Sequence, residues 1–173
     1  MIFVTVGTHE QPFNRLVEEI DRLKGANIID EDVVIQTGFS TYEPRFCVWS
    51  RLFPYQDMCK YVEEARIVIT HGGPSSFIMP LQVGKTPIVV PRQKKFGEHV
   101  NDHQLEFARK IVDQQRNILL VENIAELENM ICNYEILTEK MQKMTETNNV
   151  VFCRGLEEIV QKLRNSSLEN NER

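Results

Sequence analysis

The sequence predicts an α/β fold built on one doubly wound, mostly parallel sheet of six strands. Six short apolar runs, rich in β-branched residues, are continuous rather than alternating, which is typical of strands buried on both faces. Helix-like segments separate most of these runs, so the predicted order is β-α-β-β-α-β-α-β-α-β, with helices covering both faces of the sheet. The predicted strands are residues 2–6, 33–36, 46–49, 67–70, 87–90 and 118–121.

Apolar residues at helical spacing identify the segments between the strands. The first series follows Pro12 and consists of Phe13, Leu16, Val17, Ile20 and Leu23. A later series consists of Leu105, Phe107, Ala108, Ile111 and Val112. The amphipathic segments "IAELENMICNYEIL" and "VVFCRGLEEIVQKL" predict helices from about residue 123 onward. We therefore predict a single Rossmann-like domain over residues 1–164, and a disordered tail over residues 165–173, where apolar residues are few.

Composition limits the classes of function. A chain of 173 residues, 42% of them hydrophobic, suffices for one domain with a core, and its formal net charge of −5 argues against nucleic acid as a partner. The N-terminus "MIFVTVGT" soon turns polar, so we expect neither a signal peptide nor a membrane span. The cysteines lack zinc-ligand spacing, and we interpret them as reduced thiols in or near the core of a cytoplasmic protein. They are Cys47, Cys59, Cys132 and Cys153.

The stretch "THGGPSSF", residues 70–77, begins at the last residue of the fourth predicted strand. Its two glycines permit positive φ and let the backbone approach a ligand. The proline suits the first helical position, and the two serines then fall in a first turn whose free N–H groups and dipole attract an anion. A phosphate or diphosphate site and a plain glycine turn capped by serines explain this stretch about equally well. The candidate ligand contacts are His71, Gly72, Gly73, Ser75 and Ser76.

The loop "PRQKKFGEHVNDHQ", residues 91–104, is unusually rich in hydrogen-bonding side chains. Such a set suits a ligand covered in hydroxyl groups, which means a sugar. His99 and His103 would share one helix face and could ligate a metal, but no third ligand is evident, so we predict no metal site. Lys94 and Lys95 are interpreted as solvated. The candidate contacts are Glu98, His99, Asn101, His103 and Gln104.

These two loops and "GTHEQPF", after the first strand, each follow a predicted strand directly. The carboxyl ends of parallel strands share one edge of the sheet, where ligands of such folds bind. The sequence "GKT" at 84–86 imitates the end of a P-loop, but Met79 stands where that motif needs a glycine. The GxGxxG fingerprint is also absent, so we predict no nucleotide cofactor.

Four motifs together resemble the C-terminal, donor-binding half of GT-B glycosyltransferases. They are "VTVGTHEQPFNRLV", "ITHGGPSSF", "GKTPIVVPR" and "GEHVNDHQLEFA", and they span roughly residues 1–121. The resemblance is to the family of the peptidoglycan N-acetylglucosaminyltransferase. Within it, the chain is most similar to stand-alone catalytic subunits of two-subunit enzymes, namely those of capsule or exopolysaccharide synthesis and the dolichol-linked N-acetylglucosaminyltransferase.

The resemblance implies a role for each matched position. The residues from His71 to Ser76 would hold the diphosphate of a UDP-sugar, and His103 with Gln104 would contact the hydroxyls of the donor sugar. Gly7 and Thr8 would face the cleft near the diphosphate. The segment around Arg92 would flank the nucleotide. His9 and Glu10 are candidates for acid/base groups, for contacts to the acceptor or for caps of the following helix. Met79 replaces the glutamate that often binds the ribose in related enzymes.

The resemblance also implies a function. The chain would transfer a hexose from a UDP-sugar, with β-1,4-linked galactose as the candidate. It would act together with a membrane-anchored, acceptor-binding subunit that resembles the N-terminal half of GT-B enzymes. The acceptor would be a lipid-linked saccharide, the configuration would be inverted, no cofactor would be needed, and the chain would lie at the cytoplasmic face of the membrane through its partner. The alternatives are a non-catalytic UDP-sugar-binding subunit and a relative of UDP-sugar epimerases.

Overall fold

The described part of the chain, residues 1–139 and residue 141 of a computed structural model, contains six strands and six α-helices. The strands are β1 (Ile2–Thr5), β2 (Val33–Gln36), β3 (Val48–Ser50), β4 (Ile67–His71), β5 (Ile88–Val90) and β6 (Leu119–Leu120). The helices are α1 (Asn14–Gly25), α2 (Tyr55–Glu64), α3 (Pro74–Gln82), α4 (His103–Gln115), α5 (Leu127–Cys132) and α6 (Tyr134–Thr138). Two 3-10 turns are at Lys94–Phe96 and Ile124–Glu126.

The six strands form one sheet in the order β3-β2-β1-β4-β5-β6, and every neighbouring pair is parallel. This confirms the predicted α/β class and the predicted succession of elements. The order runs outward in both directions from β1 and β4, so the carboxyl ends of these two strands form the topological switch point of the sheet. Ligands of doubly wound folds bind at such a point.

Both faces of the central strands are buried, because helices cover each side of the sheet. On one face Ile2, Val4 and Val6 pack in a large cluster that includes the apolar side of α1. On the other face Phe3 and Val68 pack beneath α2. Continuous apolar runs are therefore required in the central strands, as the sequence pattern indicated.

The edge strand β3 differs from the prediction. It begins at Val48 instead of residue 46, and Val48 is 66% exposed. The strand pairs only with β2, since it is the outermost strand, so burial on both faces does not apply to it.

The cysteine environments also differ in part from the prediction. Cys47 and Cys59 are half-buried free thiols, but Cys132, at the end of α5, is exposed and so is not a core residue. Cys153 lies outside the described residues. So do the predicted second C-terminal helix, the domain boundary at 164 and the tail, whereas α5 and α6 account for the first predicted C-terminal segment. Within residues 1–139 and 141, no helix has the length and apolarity needed to cross a membrane.

Candidate functional site

A cleft of about 420 Å³ opens at the carboxyl edge of the sheet, at the switch point. Residues from the loops after β1 and β4 form one part of it, and α2, α3 and the start of α4 form its walls. Its lining residues are Thr5, Gly7, Thr8, His9, Gln36, Met58, Val62, His71, Ser75, Ser76, Met79 and Gln104. Seven of the residues expected from sequence to contact the substrate or act in catalysis are thus brought together: Gly7, Thr8, His9, His71, Ser75, Ser76 and Gln104.

His71 is fixed by hydrogen bonds at both ring nitrogens. Its Nδ1 accepts the N–H of Gly73 at 3.0 Å, and its Nε2 lies 2.6 Å from Oγ of Ser76. Burial, followed by the nearby Arg92 charge, lowers the pKa of His71 to about 4, so the ring is neutral at pH 7. Since Nδ1 accepts, the single ring proton is on Nε2 and is donated to Ser76. The Ser76 hydroxyl proton therefore remains free to point into the cleft.

This geometry changes the role expected for His71. Its side chain is not an additional free donor, because both nitrogens are engaged within the loop. Instead it orients Ser76. A serine whose oxygen accepts from a neutral imidazole is a hydrogen-bond donor to a ligand, and it is not an activated nucleophile, because no base is left to remove its proton.

The glycines of the loop are needed for space and not for backbone conformation. Gly73 has φ −74°, and Gly72 is not among the positive-φ glycines, so the expected positive φ is wrong at both positions. A Cβ atom on Gly73 would lie 2.3 Å from Cε1 of His71, and one on Gly72 would lie 2.8 Å from Cβ of Gln104. The two glycines therefore admit the side chains that order the loop.

Helix α3 begins as the sequence predicts. Pro74 is its first residue, and Ser75 and Ser76 follow in the first turn. The N–H groups of Gly72 and Gly73, however, are donated to Gln104 Oε1 and His71 Nδ1. What the helix start offers a ligand is therefore its dipole and the two serine hydroxyls, rather than the glycine amides.

The Gln104 side chain connects the loop after β4 to the residues after β5 by hydrogen bonds. Its Oε1 accepts the N–H of Gly72 at 3.1 Å and the N–H of Arg92 at 3.2 Å. One side chain at the start of α4 thus sets the spacing of two loops at the cleft. The sequence expectation of a direct sugar contact is compatible with this position, because Gln104 also lines the cleft.

Two residues expected at the ligand lie inside the protein instead. The Arg92 side chain is fully buried, and Glu98 is 3% exposed. Glu98 forms a two-point ion pair with Arg15, at 2.8 and 2.9 Å, and accepts the N–H of Gln93. Neither Arg92 nor Glu98 lines the cleft. They hold the loop of residues 91–104 against the rest of the domain.

Three histidines gather beside the cleft. The ring centroids of His9 and His99 are 4.6 Å apart, and those of His99 and His103 are 6.3 Å apart. His99 precedes α4, which begins at His103, so the expected shared helix face does not exist. Asn101 contacts Nε2 of His103 at 2.9 Å. No group of three or more potential metal ligands occurs in the described residues.

The two candidates for acid/base chemistry differ in position. His9 lines the cleft, and burial, His99 and Arg92 lower its pKa. Its Nδ1 accepts the N–H of Gln11 at 3.2 Å, so the neutral ring carries its proton on Nε2 and presents a donor. Glu10 is exposed and is not a lining residue. In this arrangement His9 is suited to binding rather than to proton abstraction.

One half of the cleft lies between α2 and α3 and was not predicted from the sequence. Met58, Val62 and Met79 are its apolar walls, and Gln36 lies at its floor, next to Thr5 in the register of the sheet. Gln36 is 4% exposed, and none of the described hydrogen bonds involves its side chain. The available signal was its place at the end of an apolar strand, where a polar side chain reaches the ligand edge of the sheet.

Comparison with known proteins assigns the family. The sequence matches the model of the glycosyltransferase family 28 C-terminal domain over residues 1–162. The chain belongs to this family. A comparison with curated protein sequences finds no match to the family 28 domain described here.

Solved structures show the same fold for this family 28 domain. The glycotransferase of kitacinnamycin matches 80% of the chain at 19% identity with a TM-score of 0.55, and CalG4, the calicheamicin glycosyltransferase, matches 95% at 12% identity with a TM-score of 0.63. These structures support the predicted α/β fold, and the family model supplies the glycosyltransferase family. The chain covers 35% and 43% of those two proteins, so it corresponds to less than half of their length.

Proposed function

We propose that this family 28 domain is the donor-binding catalytic subunit of a two-subunit glycosyltransferase that uses a UDP-sugar. The observation that carries the proposal is the start of α3 in the cleft, where Ser75 and Ser76 offer hydroxyl donors at the positive end of a helix. A diphosphate fits such a site, because it is an anion with several acceptor oxygens. Membership of a glycosyltransferase family makes a nucleotide sugar the natural source of that diphosphate.

The half of the cleft between α2 and α3 supports a nucleoside beside this diphosphate. The apolar surfaces of Met58, Val62 and Met79 suit the faces of a flat base, and thioethers make favourable contacts with aromatic rings. Gln36 supplies one donor and one acceptor for the polar edge of the ligand. With Met79 in place of a carboxylate, we propose that Gln36 provides the main polar contact to the nucleoside.

The proposed reaction displaces UDP from C1 of the hexose by an acceptor hydroxyl. The C1–O bond to the diphosphate breaks while the new glycosidic bond forms, and negative charge develops on the leaving diphosphate. The start of α3 and the Ser76 hydroxyl would stabilise that charge. The acceptor proton must pass to a base, for which we propose Glu10 or a group on the partner, since His9 presents a donor.

The proposed partner supplies what a single donor-binding domain lacks. This domain would bind the donor, and we propose that a separate subunit binds the acceptor. We propose that this subunit is membrane-anchored, presents a lipid-linked saccharide and holds the domain at the cytoplasmic face in capsule or exopolysaccharide synthesis. A β-1,4-linked galactose is the candidate product linkage.

A non-catalytic role in binding the UDP-sugar is the second candidate. It is favoured by one observation: none of the described residues that line the cleft is a carboxylate, and the lining histidines His9 and His71 each already accept a backbone N–H at Nδ1. Under this alternative the partner would carry out the reaction and this chain would only stabilise it.

A transfer assay with both subunits separates the two candidates. The partner would be co-expressed from the neighbouring gene, and sugar transfer from UDP-hexoses would be measured for wild type, Ser76→Ala and Gln104→Ala. We expect each variant to lose at least about tenfold in kcat/KM, since Ser76→Ala removes a donor to the developing charge and Gln104→Ala releases the two loops that Oε1 connects. Glu128→Gln, an exposed change on α5, is the matched control. Full activity in both cleft variants would refute the catalytic role of this chain.

A further inference from the structure

Three buried charged side chains, Arg15, Arg92 and Glu98, lie beneath the loops of the cleft, and we call them the buried charge cluster. The Arg92 residue is fully buried, and the side chains of Arg15 and Glu98 are 13% and 4% exposed. Glu98 binds both Nε and Nη2 of Arg15, so these two charges compensate each other. With two guanidinium groups and one carboxylate, the cluster carries one excess positive charge.

Arg92 holds this excess charge, and within residues 1–139 and 141 no carboxylate lies at ion-pair distance from its guanidinium. Its guanidinium donates to three backbone carbonyls, those of Val6 at 2.8 Å, Gln11 at 2.7 Å and Glu98 at 3.1 Å. Its Nε is buried and has no hydrogen-bond partner in the part of the chain that the structure describes. Burial lowers the pKa of Arg92 to about 10, against a smaller opposing effect of Glu98, so the group stays charged at pH 7.

The charge lies next to the cleft. Val6, which accepts from the guanidinium, directly precedes the lining residue Gly7, and the backbone N–H of Arg92 binds Oε1 of the lining residue Gln104. After burial itself, the Arg92 charge is the next cause that lowers the pKa of His71. The field of Arg92 therefore reaches the residue that orients Ser76.

A buried cation without a counter-ion is destabilising, because three carbonyl groups and the Phe13 ring, whose centroid is 4.8 Å from Cζ of Arg92, offset only part of its desolvation. Neutral donors could link the same carbonyl groups, so the hydrogen bonds alone do not require a charge. The nearest charged group at the first loop, Glu10, is exposed to water, which screens its effect. An anion in the cleft would stabilise the Arg92 charge and offset the unfavourable free energy of its desolvation.

We propose that Arg92 strengthens the binding of the diphosphate from beneath the cleft, as a buried positive charge that never touches the ligand. Its charge acts on the ligand through the electrostatic potential. Arg92 is also a positioning residue, because its hydrogen bonds connect the backbone before Gly7 to the backbone at Glu98. The inference rests on the proposed function, since it concerns the same cleft. The Arg92 charge favours binding of the phosphates and takes no part in recognition of the nucleoside.

Calorimetric titration with UDP, uridine and inorganic pyrophosphate tests this role. We expect Arg92→Met to weaken the binding of UDP and pyrophosphate by about tenfold while uridine affinity changes by less than about twofold. Arg92→Lys keeps the charge and should retain most of the UDP affinity. Glu98→Gln raises the excess charge of the cluster, and we expect it to leave UDP binding unchanged or tighter. Thermal unfolding of each variant shows that it is folded.

The direction of each change in affinity distinguishes an electrostatic role of Arg92 from a purely structural one. If Arg92→Met weakens uridine as much as UDP, or if Glu98→Gln weakens UDP as much as Arg92→Met does, the role is purely structural and the inference is wrong. Should Arg92→Met fail to fold, the Glu98→Gln result decides by itself. If wild type binds pyrophosphate but not UDP, the proposed function fails while the inference stands, and if it binds neither, both fail.

Discussion

His71 is the residue on which the order of the cleft depends most. Its ring lies between two glycines, because a Cβ atom on Gly7 or on Gly73 would fall within 2.4 Å of one of its ring atoms. The ring in turn directs the Ser76 hydroxyl. A single neutral histidine therefore links the loop after β1 to the start of α3.

The space around His71 predicts the cost of a methyl group at Gly7. Gly7 and Gly84 have nearly the same φ, +76° and +75°, but only Gly7 has neighbours within 4 Å of the added atom. We expect Gly84→Ala to lower the free energy of unfolding by about 1 kcal/mol, the cost of left-handed backbone, and Gly7→Ala by about 3 kcal/mol. Urea unfolding measures both. Equal effects would show that His71 does not confine this loop.

The lowered pKa of His71 predicts how stability depends on pH. An unfolded histidine, with a pKa of 6.5, takes up its proton before the folded one, whose pKa is about 4. The stabilising contribution is thus complete above pH 6.5 and is lost as the pH falls from 6.5 to about 4, by roughly 3 kcal/mol.

Urea unfolding of wild type and His71→Asn at several pH values between 7 and 4 checks this dependence. Asparagine does not titrate, and its side-chain oxygen can still accept the N–H of Gly73. The variant should lose most of the slope in that window. An unchanged slope would mean that His71 is not the responsible group.

At the scale of single residues, sequence identified the loops better than the side chains. Ser75 and Ser76 were predictable because their position after a proline fixes them in a first turn. Arg92 and Glu98 were not, because the partner Arg15 is 83 positions away from Glu98 in the chain. Gln36 was overlooked because it ends an apolar run and so was counted as part of a strand.

Among the secondary-structure elements, α1 carries a side chain that holds a neighbouring loop. Asp21 is 1% exposed, and its carboxylate accepts from the Tyr42 hydroxyl at 2.8 Å and from the N–H groups of Arg45 and Phe46. Burial raises the pKa of Asp21, but these hydrogen bonds outweigh it and the net shift is downward. The loop before the edge strand β3 is therefore held to α1 by one carboxylate.

Replacement of this carboxylate tests the connection. Asp21→Asn removes the charge and puts an NH₂ group where an acceptor is needed, so we expect the free energy of unfolding to fall by about 2 to 3 kcal/mol. Asp57→Asn, on the exposed side of α2, is the matched control and should change it by less than about 0.5 kcal/mol. Both values come from urea unfolding at pH 7. Similar small effects in the two variants would refute the structural role of Asp21.

The elements themselves were largely predictable from sequence. Central strands must be apolar on both faces, so β1, β4 and β5 stand out as continuous runs, and α1 shows its helical period clearly. The edge strand β3 was placed two residues early, because a strand with one partner is under weaker constraint. The burial of Asp21 could not be predicted from the sequence. An aspartate on an amphipathic helix is expected on the solvated face, but here a loop covers it.

For the whole molecule, topology explains why distant motifs form one site. The loops that begin at positions 7, 72 and 91 are far apart in sequence, but the strands β1, β4 and β5 that precede them are adjacent and parallel. The family 28 domain thus collects polar residues from distant parts of the chain at one edge of the sheet. The cleft at this edge is the place where we propose that the donor binds.

An NMR titration of the ¹⁵N-labelled protein with UDP measures whether the nucleotide binds in this cleft. We predict saturable shifts in the amide signals of Gly7, Thr8, Ser75, Ser76 and Gln104, with signals of Glu128 and Asn129 on α5 unchanged. A spectrum that does not respond to UDP would contradict the claim. So would shifts confined to the groove beside β6 that is lined by Val112, Arg116 and Leu137.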